Sequence, residues 1–216
     1  MFDLIKQYVA EKYMQFRDGQ ILFGKERIVF YFVPHLVREF SINYSTNGLD
    51  YCAKMFLAGR KQGHVFVQGH GVPLMKSLTP VVKISCEVLN MFGFGTFRTI
   101  KVDEQNGFMV LAGTSTIAID LKTAKPSDIP IDFMLGGLFA GALQYYTKKP
   151  MYSVEIKCVA QKDVQECIWV IGNRKNIIKY VQEFSPDKTK WANAILDKIE
   201  DVEKKLEIKG DKEWNI

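Results

Sequence analysis

Three residues in the last third of the sequence carry side chains that bind transition metals: Glu155, Cys158 and Cys167. Two soft thiolates and a carboxylate suit a tetrahedral zinc site, which needs a fourth ligand. The alternative is that both cysteines are structural, because free cysteine is among the most buried residue types. The sequence therefore predicts either a metal site or a piece of the core at these positions.

Other candidates for chemistry are weaker. His64 and His70 flank a Gly-rich segment, but their spacing in a predicted loop matches no common metal pattern, so we interpret them as loop residues rather than ligands or a proton-handling pair. The Gly93-Phe94-Gly95 run lacks the pattern of a nucleotide-binding turn, and no P-loop is present. Nucleophile elbow, HExxH and CxxC motifs are also absent, which leaves the common hydrolase, zincin and thiol-redox mechanisms without an anchor.

Hydrophobic periodicity predicts alternating helical and β-rich segments that would position these residues. We expect a helix over 2–15, a hairpin around Gly24-Lys25, and a helix pair interrupted at 45–48 that closes on Gly63 as a C-cap. A further helix over 74–93 contains Pro80, which starts or kinks it. The remaining predicted elements are a three-stranded meander (96–104, 107–115, 116–122), a helix (131–149), two strands (151–160, 167–173) and a charged C-terminal helix (191–208).

The segment 132–172 resembles the signature half of the 4-vinyl-reductase domain family. It has a Gly137-xxx-Gly141 helix, then the strand Glu155-x-x-Cys158-Val159-Ala160, then Cys167 at the start of the last strand. The Ala-Gly-Arg-x-x-Gly run ending at Gly63 and the Gly93-x-Gly95-Thr96 strand entry extend the resemblance over about residues 25–172. It implies an α+β fold in which an antiparallel sheet of about four strands packs against several helices, as in heme-NO-binding and TRAPP-subunit domains.

The resemblance also implies site residues. In zinc-bearing members a cysteine precedes the small-residue helix, and Asp132 occupies that place here, so Asp132 is the implied fourth ligand beside Glu155, Cys158 and Cys167. An apolar pocket would lie between the 133–146 helix, the meander and the 49–57 helix. Its implied lining residues are Phe133, Leu138, Phe139, Tyr146, Phe56 and Trp169.

Two features allow either internal packing or association. Gly137 and Gly141 lie four residues apart, a spacing that permits tight helix packing within the chain or a dimer seam. The charged C-terminal helix is interpreted as a solvated face, with a dimer or partner contact through Trp191, Ile195 and Ile199 as the alternative.

These expectations favour a sensor or regulatory domain that binds a small hydrophobic or aromatic molecule, possesses a structural zinc and forms a homodimer. The alternatives are an enzyme or enzyme subunit of tetrapyrrole vinyl-group reduction, for which no nicotinamide or flavin motif is visible, and a component of a transcription regulator. The net charge of +5 is scattered, so direct contact with nucleic acid is not expected.

Bulk properties set the domain organisation and compartment. The four cysteines are too few for a secreted disulfide framework, and no membrane-spanning segment is expected, which favours a cytoplasmic protein. We expect an N-terminal extension (1–24), a 4-vinyl-reductase-like domain (25–172) and a charged helical extension (173–216).

Overall fold

The chain divides into two compact units, Met1–Leu36 and Val37–Ile216. The computed structural model describes residues 14–17, 20–23, 26–28, 33–69, 77–91, 93–114, 116, 118–119, 122 and 127–208. In the first unit, three short antiparallel strands lie in the order β1-β2-β3: Met14–Arg17, Gln20–Phe23 and Glu26–Ile28. Phe23 pairs with Glu26, which confirms the hairpin around Gly24-Lys25.

The prediction of a helix over 2–15 is wrong at its C-terminal end. Met14 and Gln15 belong to β1, where they pair with Phe23 and Leu22 of β2. Residues 2–13 of that helix lie outside the described residues. The amphipathic spacing of 2–15 was therefore overridden at its last positions by strand pairing, which the local pattern does not encode.

The described part of the second unit is an α+β domain, as predicted. Its helices are α1 Val33–Gly69, which belongs to this unit from Val37 onward, α2 Leu78–Met91, α3 Phe133–Thr147, α4 Arg174–Phe184 and α5 Thr189–Ile208. Its four-stranded antiparallel sheet has the order β4-β5-β7-β6: β4 Thr96–Asp103, β5 Phe108–Thr114, β6 Tyr152–Lys157 and β7 Cys167–Gly172. None of the helices described is long and apolar enough to cross a membrane.

Strand β5 is central and buried along nearly its whole length, from Phe108 to Gly113. One neighbour is β4, joined through a turn that contains Asn106-Gly107, with Gly107 at a φ of +56° as the predicted hairpin requires. The other neighbour is β7 rather than the predicted third strand of the meander. That prediction is wrong, because Ala118 and Ile119 are helical and the apolar β7 takes the position beside β5.

Helix α1 contains the predicted break but not the predicted end. Gly48 has non-helical angles, with φ of 53° and ψ of −134°, so two helical segments meet there. The expected C-cap at Gly63 is wrong, since the helix continues to Gly69. His64 consequently lies on a helix instead of in a loop, and its ring meets Tyr145 edge-on at 5.4 Å, while His70 lies outside the described residues.

Gly63 serves a different purpose, which is to let α1 touch α3. A Cβ atom added at Gly59 or Gly63 would lie 2.2 or 2.1 Å from a backbone carbonyl oxygen of α3. The same atom at Gly137 or Gly141 would lie 2.2 or 1.9 Å from a carbonyl oxygen of α1. The two Gly-xxx-Gly pairs therefore form one parallel helix contact within the chain, and this packing, not a dimer seam, accounts for Gly137 and Gly141.

Helix α5 also turns its apolar face inward. Ile195 and Ile199 are 1% and 0% exposed, and Trp191 packs against the core. The apolar face of α5 therefore packs within the chain and does not form a dimer contact through Trp191, Ile195 and Ile199. The polar side of the helix pairs instead with other elements, for example through Lys198 and Asp50 at 3.1 Å.

The start of α2 is capped by the carboxylate of Glu104. Pro80 lies in the first turn, so it starts the helix rather than kinking it. The Glu104 carboxylate accepts hydrogen bonds from the Ser77 hydroxyl and from the Thr79 amide and hydroxyl, at the end of the helix where amide groups lack partners. These bonds lower the pKa of Glu104 to about 2, and the bond from the Thr79 hydroxyl has the largest effect.

Because the pKa of Glu104 is lower in the folded chain, its stabilising effect is present above pH of about 4.5 and is lost as the pH falls toward 2. We expect Glu104→Gln to lower the thermal midpoint at pH 7, and the difference from the wild type to shrink below pH of about 4.5. Thermal unfolding of both proteins across this range measures it. A difference in thermal midpoint between the two proteins that stays constant with pH would contradict the capping role of the Glu104 charge.

Candidate metal centre and ligand site

Four chain segments bring the predicted metal ligands together. Asp132 immediately precedes α3, Glu155 lies on β6, Cys158 follows the end of β6, and Cys167 is the first residue of β7. All four are buried, and one ligand atom from each lies within 4.8 Å of every other. The quartet that the family resemblance implied is thus assembled at one point.

A bulge in β6 explains how Glu155 and Cys158 reach the same point. In a regular strand these residues, three apart, would face opposite sides of the sheet. The pairing of β6 with β7 shifts register between Glu155, which pairs with Trp169, and Lys157, which pairs with Ile168. The extra residue in β6 turns the following chain, and Cys158 joins Glu155 on one side.

The distances fit tetrahedral coordination. The Sγ atoms of Cys158 and Cys167 are 3.9 Å apart, and Cys167 Sγ is 3.7 Å from Asp132 Oδ2. Zinc–sulfur bonds of about 2.3 Å and zinc–oxygen bonds of about 2.0–2.2 Å give tetrahedral edges of roughly 3.8 Å between two sulfurs and 3.5 Å between sulfur and oxygen. These two separations are close to those of a zinc centre, and all four ligand atoms lie within 4.8 Å of one another.

Burial opposes charge on every one of these ligands. It raises the pKa of Asp132 to about 6 and the pKa of Cys158 to about 11, and it holds the pKa of Glu155 well above its ordinary value. The hydrogen bond between the two thiols, followed by burial, raises the pKa of Cys167. A divalent cation reverses this preference, because it stabilises the deprotonated ligands.

One ligand atom has no partner among the described residues, namely Glu155 Oε1. Its companion Oε2 accepts the backbone amide of Asp132 at 3.0 Å, and the carboxyl group lies beside the thiols of Cys158 and Cys167. A buried carboxylate oxygen without a donor is costly, and a bound cation would remove that cost. The donor set and this orphaned oxygen both fit zinc.

Groups that sequence reasoning missed surround the two sulfurs. The amide of Val159 donates to Cys167 Sγ at 3.2 Å, and the Thr116 hydroxyl lies 3.6 Å from the same atom. The Gln161 side chain accepts the Cys158 amide at 3.2 Å and shapes the turn after β6. Amide donors to sulfur favour a thiolate, which is the form that binds metal.

The six residues predicted to line a ligand pocket separate into several groups. The rings of Phe139 and Trp169 are 5.9 Å apart, and Phe97, which the sequence did not single out, completes this cluster at 5.5 Å from Phe139. Phe133 packs instead on Trp191, at 6.2 Å. The other predicted lining residues have different neighbours: Phe56 lies beside Arg60, Tyr146 beside Tyr145, and Leu138 is partly buried against the core.

The cluster of Phe97, Phe139 and Trp169 also contains polar atoms without partners. Trp169 Nε1 and Ser153 Oγ are both buried and make no hydrogen bond within the described part of the chain. Both residues border Gly136: a Cβ there would lie 2.9 Å from Ser153 Oγ and 3.4 Å from Trp169 Cδ1. Buried polar atoms are nearly always satisfied, so this pair marks a position where a polar group or water is expected.

Phe139 also lines a small cavity. Its volume is about 10 Å³, enough for one water molecule. The lining residues are Leu78, Val81, Val82, Ser85, Met109, Phe139, Ala142 and Leu143.

Comparison with solved structures identifies the fold. The phenol-responsive sensory domain of the transcription activator PoxR, solved with phenol, superposes with a TM-score of 0.66 at 13% identity, covering 92% of this chain and 97% of that one. A vinyl-4-reductase family protein from Methanocaldococcus jannaschii gives 0.45 at 12% identity, over 67% and 82% of the two chains. No family model and no curated protein matches the sequence. The likeness to the PoxR sensory domain confirms the predicted α+β fold with its four-stranded antiparallel sheet.

Proposed function

We propose that this protein is a sensory domain that binds a small aromatic molecule, and that a structural zinc held by Asp132, Glu155, Cys158 and Cys167 fixes the frame of its binding site. The convergence of four buried ligand atoms within 4.8 Å carries the zinc part of the proposal. The zinc would clamp the start of α3 to the β6–β7 pair, and both segments border the aromatic cluster around Trp169.

The chemistry of the cluster defines the ligand class. Phe97, Phe139 and Trp169 offer apolar ring faces, while Trp169 Nε1 and Ser153 Oγ offer a donor and a hydroxyl that lack partners in the described structure. An aromatic molecule with one hydroxyl group would pack its ring on the apolar faces and give the two polar atoms a hydrogen-bond partner. The likeness to a phenol-responsive domain supports the same class, and phenol is therefore the natural probe.

Binding would require a local rearrangement, since the cavity beside Phe139 holds about 10 Å³. Phe139 lines that cavity and its ring also packs on Trp169, so a turn of this ring would enlarge the space beside Trp169. Such a change is a population shift toward an open form, which the ligand stabilises by filling it. Occupancy is then coupled to the position of α3, the helix that carries Phe139 and follows Asp132.

The test compares phenol with toluene, which lacks the hydroxyl group, by calorimetric titration of the wild type and Trp169→Phe. The wild type is expected to prefer phenol, and loss of the indole N–H should weaken phenol binding by about tenfold while toluene binding changes little. Equal effects on both compounds would contradict the polar role of Trp169. A wild-type protein that binds neither compound would refute the proposed ligand class.

We further propose a cytoplasmic homodimer, in which residues 25–172 carry the sensory function and 173–216 extend it. The four cysteines are free and buried, which suits a reducing compartment. The Gly-xxx-Gly contact is used within the chain, so the dimer would employ another surface. Sedimentation equilibrium gives the mass directly, and a monomer at all concentrations would contradict this part of the proposal.

A further inference from the structure

Helix α5 reaches the candidate metal centre through Trp191. The indole N–H donates to the backbone carbonyl oxygen of Glu155 at 3.2 Å. Its ring packs on Phe133 with a centroid distance of 6.2 Å and an interplanar angle of 58°. Phe133 directly follows Asp132, so the two contacts of Trp191 fall on the two segments that carry the carboxylate ligands.

The carboxylate segments are also joined to each other. The backbone amide of Asp132 donates to Glu155 Oε2 at 3.0 Å. Together with the contacts of Trp191, this bond closes a loop of three interactions around Asp132 and Glu155. The two thiol ligands are fixed differently, by the Val159 amide and the turn that follows β6.

We propose that Trp191 is a positioning residue that holds Asp132 and Glu155 in place for the metal and thereby couples metal occupancy to the docking of α5. The inference rests on the proposed zinc site. Ligands that are held in place before binding lose less conformational freedom when the metal binds, and groups behind the first ligands commonly alter metal affinity for this reason. Because such coupling is reciprocal, a bound metal must in turn stabilise the docked position of Trp191.

The far end of α5 supplies a matched control. Glu203 forms an ion pair with Arg60, whose side chain is buried near the rings of Phe56 and Tyr152. Twelve residues separate Glu203 from Trp191, which is about 18 Å along a helix. Glu203→Gln therefore weakens the docking of α5 at a point distant from Asp132 and Glu155, and its partner Arg60 meets β6 at Tyr152, three residues before Glu155.

The experiment measures zinc affinity by competition with a chromophoric chelator for the wild type, Trp191→Phe and Glu203→Gln. We expect Trp191→Phe to lose about tenfold in affinity and Glu203→Gln to bind like the wild type, even where both variants are less stable. Cobalt(II) provides a second readout, because its visible absorption reports tetrahedral geometry. The band should weaken in Trp191→Phe alone.

Hydrogen exchange tests the reciprocal effect. Zinc should slow amide exchange in the first turns of α5 in the wild type, and less so in Trp191→Phe. If Trp191→Phe fails to fold, Phe133→Leu removes the ring contact instead and should also lower zinc affinity.

Two outcomes overturn the inference in distinguishable ways. The first outcome is that Trp191→Phe binds zinc as tightly as the wild type, or that both α5 variants lose zinc affinity only in proportion to their loss of stability. Trp191 would then only stabilise the fold, and the zinc site would stand. A wild-type protein that takes up no zinc would refute the metal site itself, and the positioning role with it.

Discussion

Replacing Gly141 with alanine is expected to cost at least about 3 kcal/mol of folding free energy. The new Cβ would lie 1.9 Å from the carbonyl oxygen of Arg60 and 2.8 Å from the amide nitrogen of His64. Both atoms belong to the backbone of α1, so no side-chain rotation relieves the clash and the two helices must separate. Since single domains are stable by only about 5–15 kcal/mol, this loss is a large share of the total.

Gly136→Ala is the matched control on the same helix. Its Cβ would meet Ser153 Oγ at 2.9 Å, an atom that can rotate away, and alanine has the higher helix propensity. We expect a change within about 1 kcal/mol in either direction. Urea unfolding of the wild type and both variants measures the difference, and similar losses at the two positions would contradict a direct backbone contact between α1 and α3.

Removing the proposed zinc is expected to produce the second large effect. At free zinc concentrations 1,000-fold above the dissociation constant, binding stabilises the folded chain by about 4 kcal/mol. For a chain of this size the thermal midpoint should fall by roughly 10 °C when a chelator strips the metal. The physical reason is that the metal-free centre leaves two carboxyl groups and two thiols buried together, with Glu155 Oε1 lacking a partner among the described residues.

Cysteine variants separate this effect from general destabilisation. Cys158→Ser should abolish the response to chelator, because it removes a ligand. Cys86→Ser changes a cysteine that is also buried but lies outside the quartet, so it should retain the full response to chelator although its own thermal midpoint is lower. Differential scanning calorimetry with and without chelator measures the thermal midpoints of both variants. A chelator effect in Cys158→Ser as large as that in the wild type would contradict the assignment of Cys158 as a zinc ligand.

The sequence predicted the elements around the metal centre well, because their signals are local. The apolar run of α3, the strands that became β6 and β7, and the amphipathic face of α5 were all found in place. Glu155, Cys158 and Cys167 were predicted from their residue types, and Asp132 was supplied by the family resemblance. Ordinary strand alternation argued against a common site for Glu155 and Cys158, and only the bulge in β6 reconciles them.

Errors arose where long-range contacts overrode local patterns. Gly63 has the appearance of a helix end in the sequence, yet it is a mid-helix residue that accommodates the backbone of α3. Comparing spacings could have revealed this, since Gly59-xxx-Gly63 repeats the pattern of Gly137-xxx-Gly141. The predicted third strand of the meander is not the neighbour of β5, because β7, which is distant in sequence, pairs with β5 instead.

Groups that act from behind the ligands were invisible to sequence reasoning. Trp191, Thr116 and Gln161 approach the centre from separate parts of the chain, and no motif spacing links them to it. The unpartnered atoms of Ser153 and Trp169 likewise emerge only once burial is known.

Native mass spectrometry of the freshly purified protein, combined with elemental analysis, tests the metal centre most directly. We expect one zinc per chain in the wild type and in Cys86→Ser, and none in Cys158→Ser. Protein that remains metal-free after incubation with zinc, while Asp132, Glu155, Cys158 and Cys167 are unmodified, would contradict it.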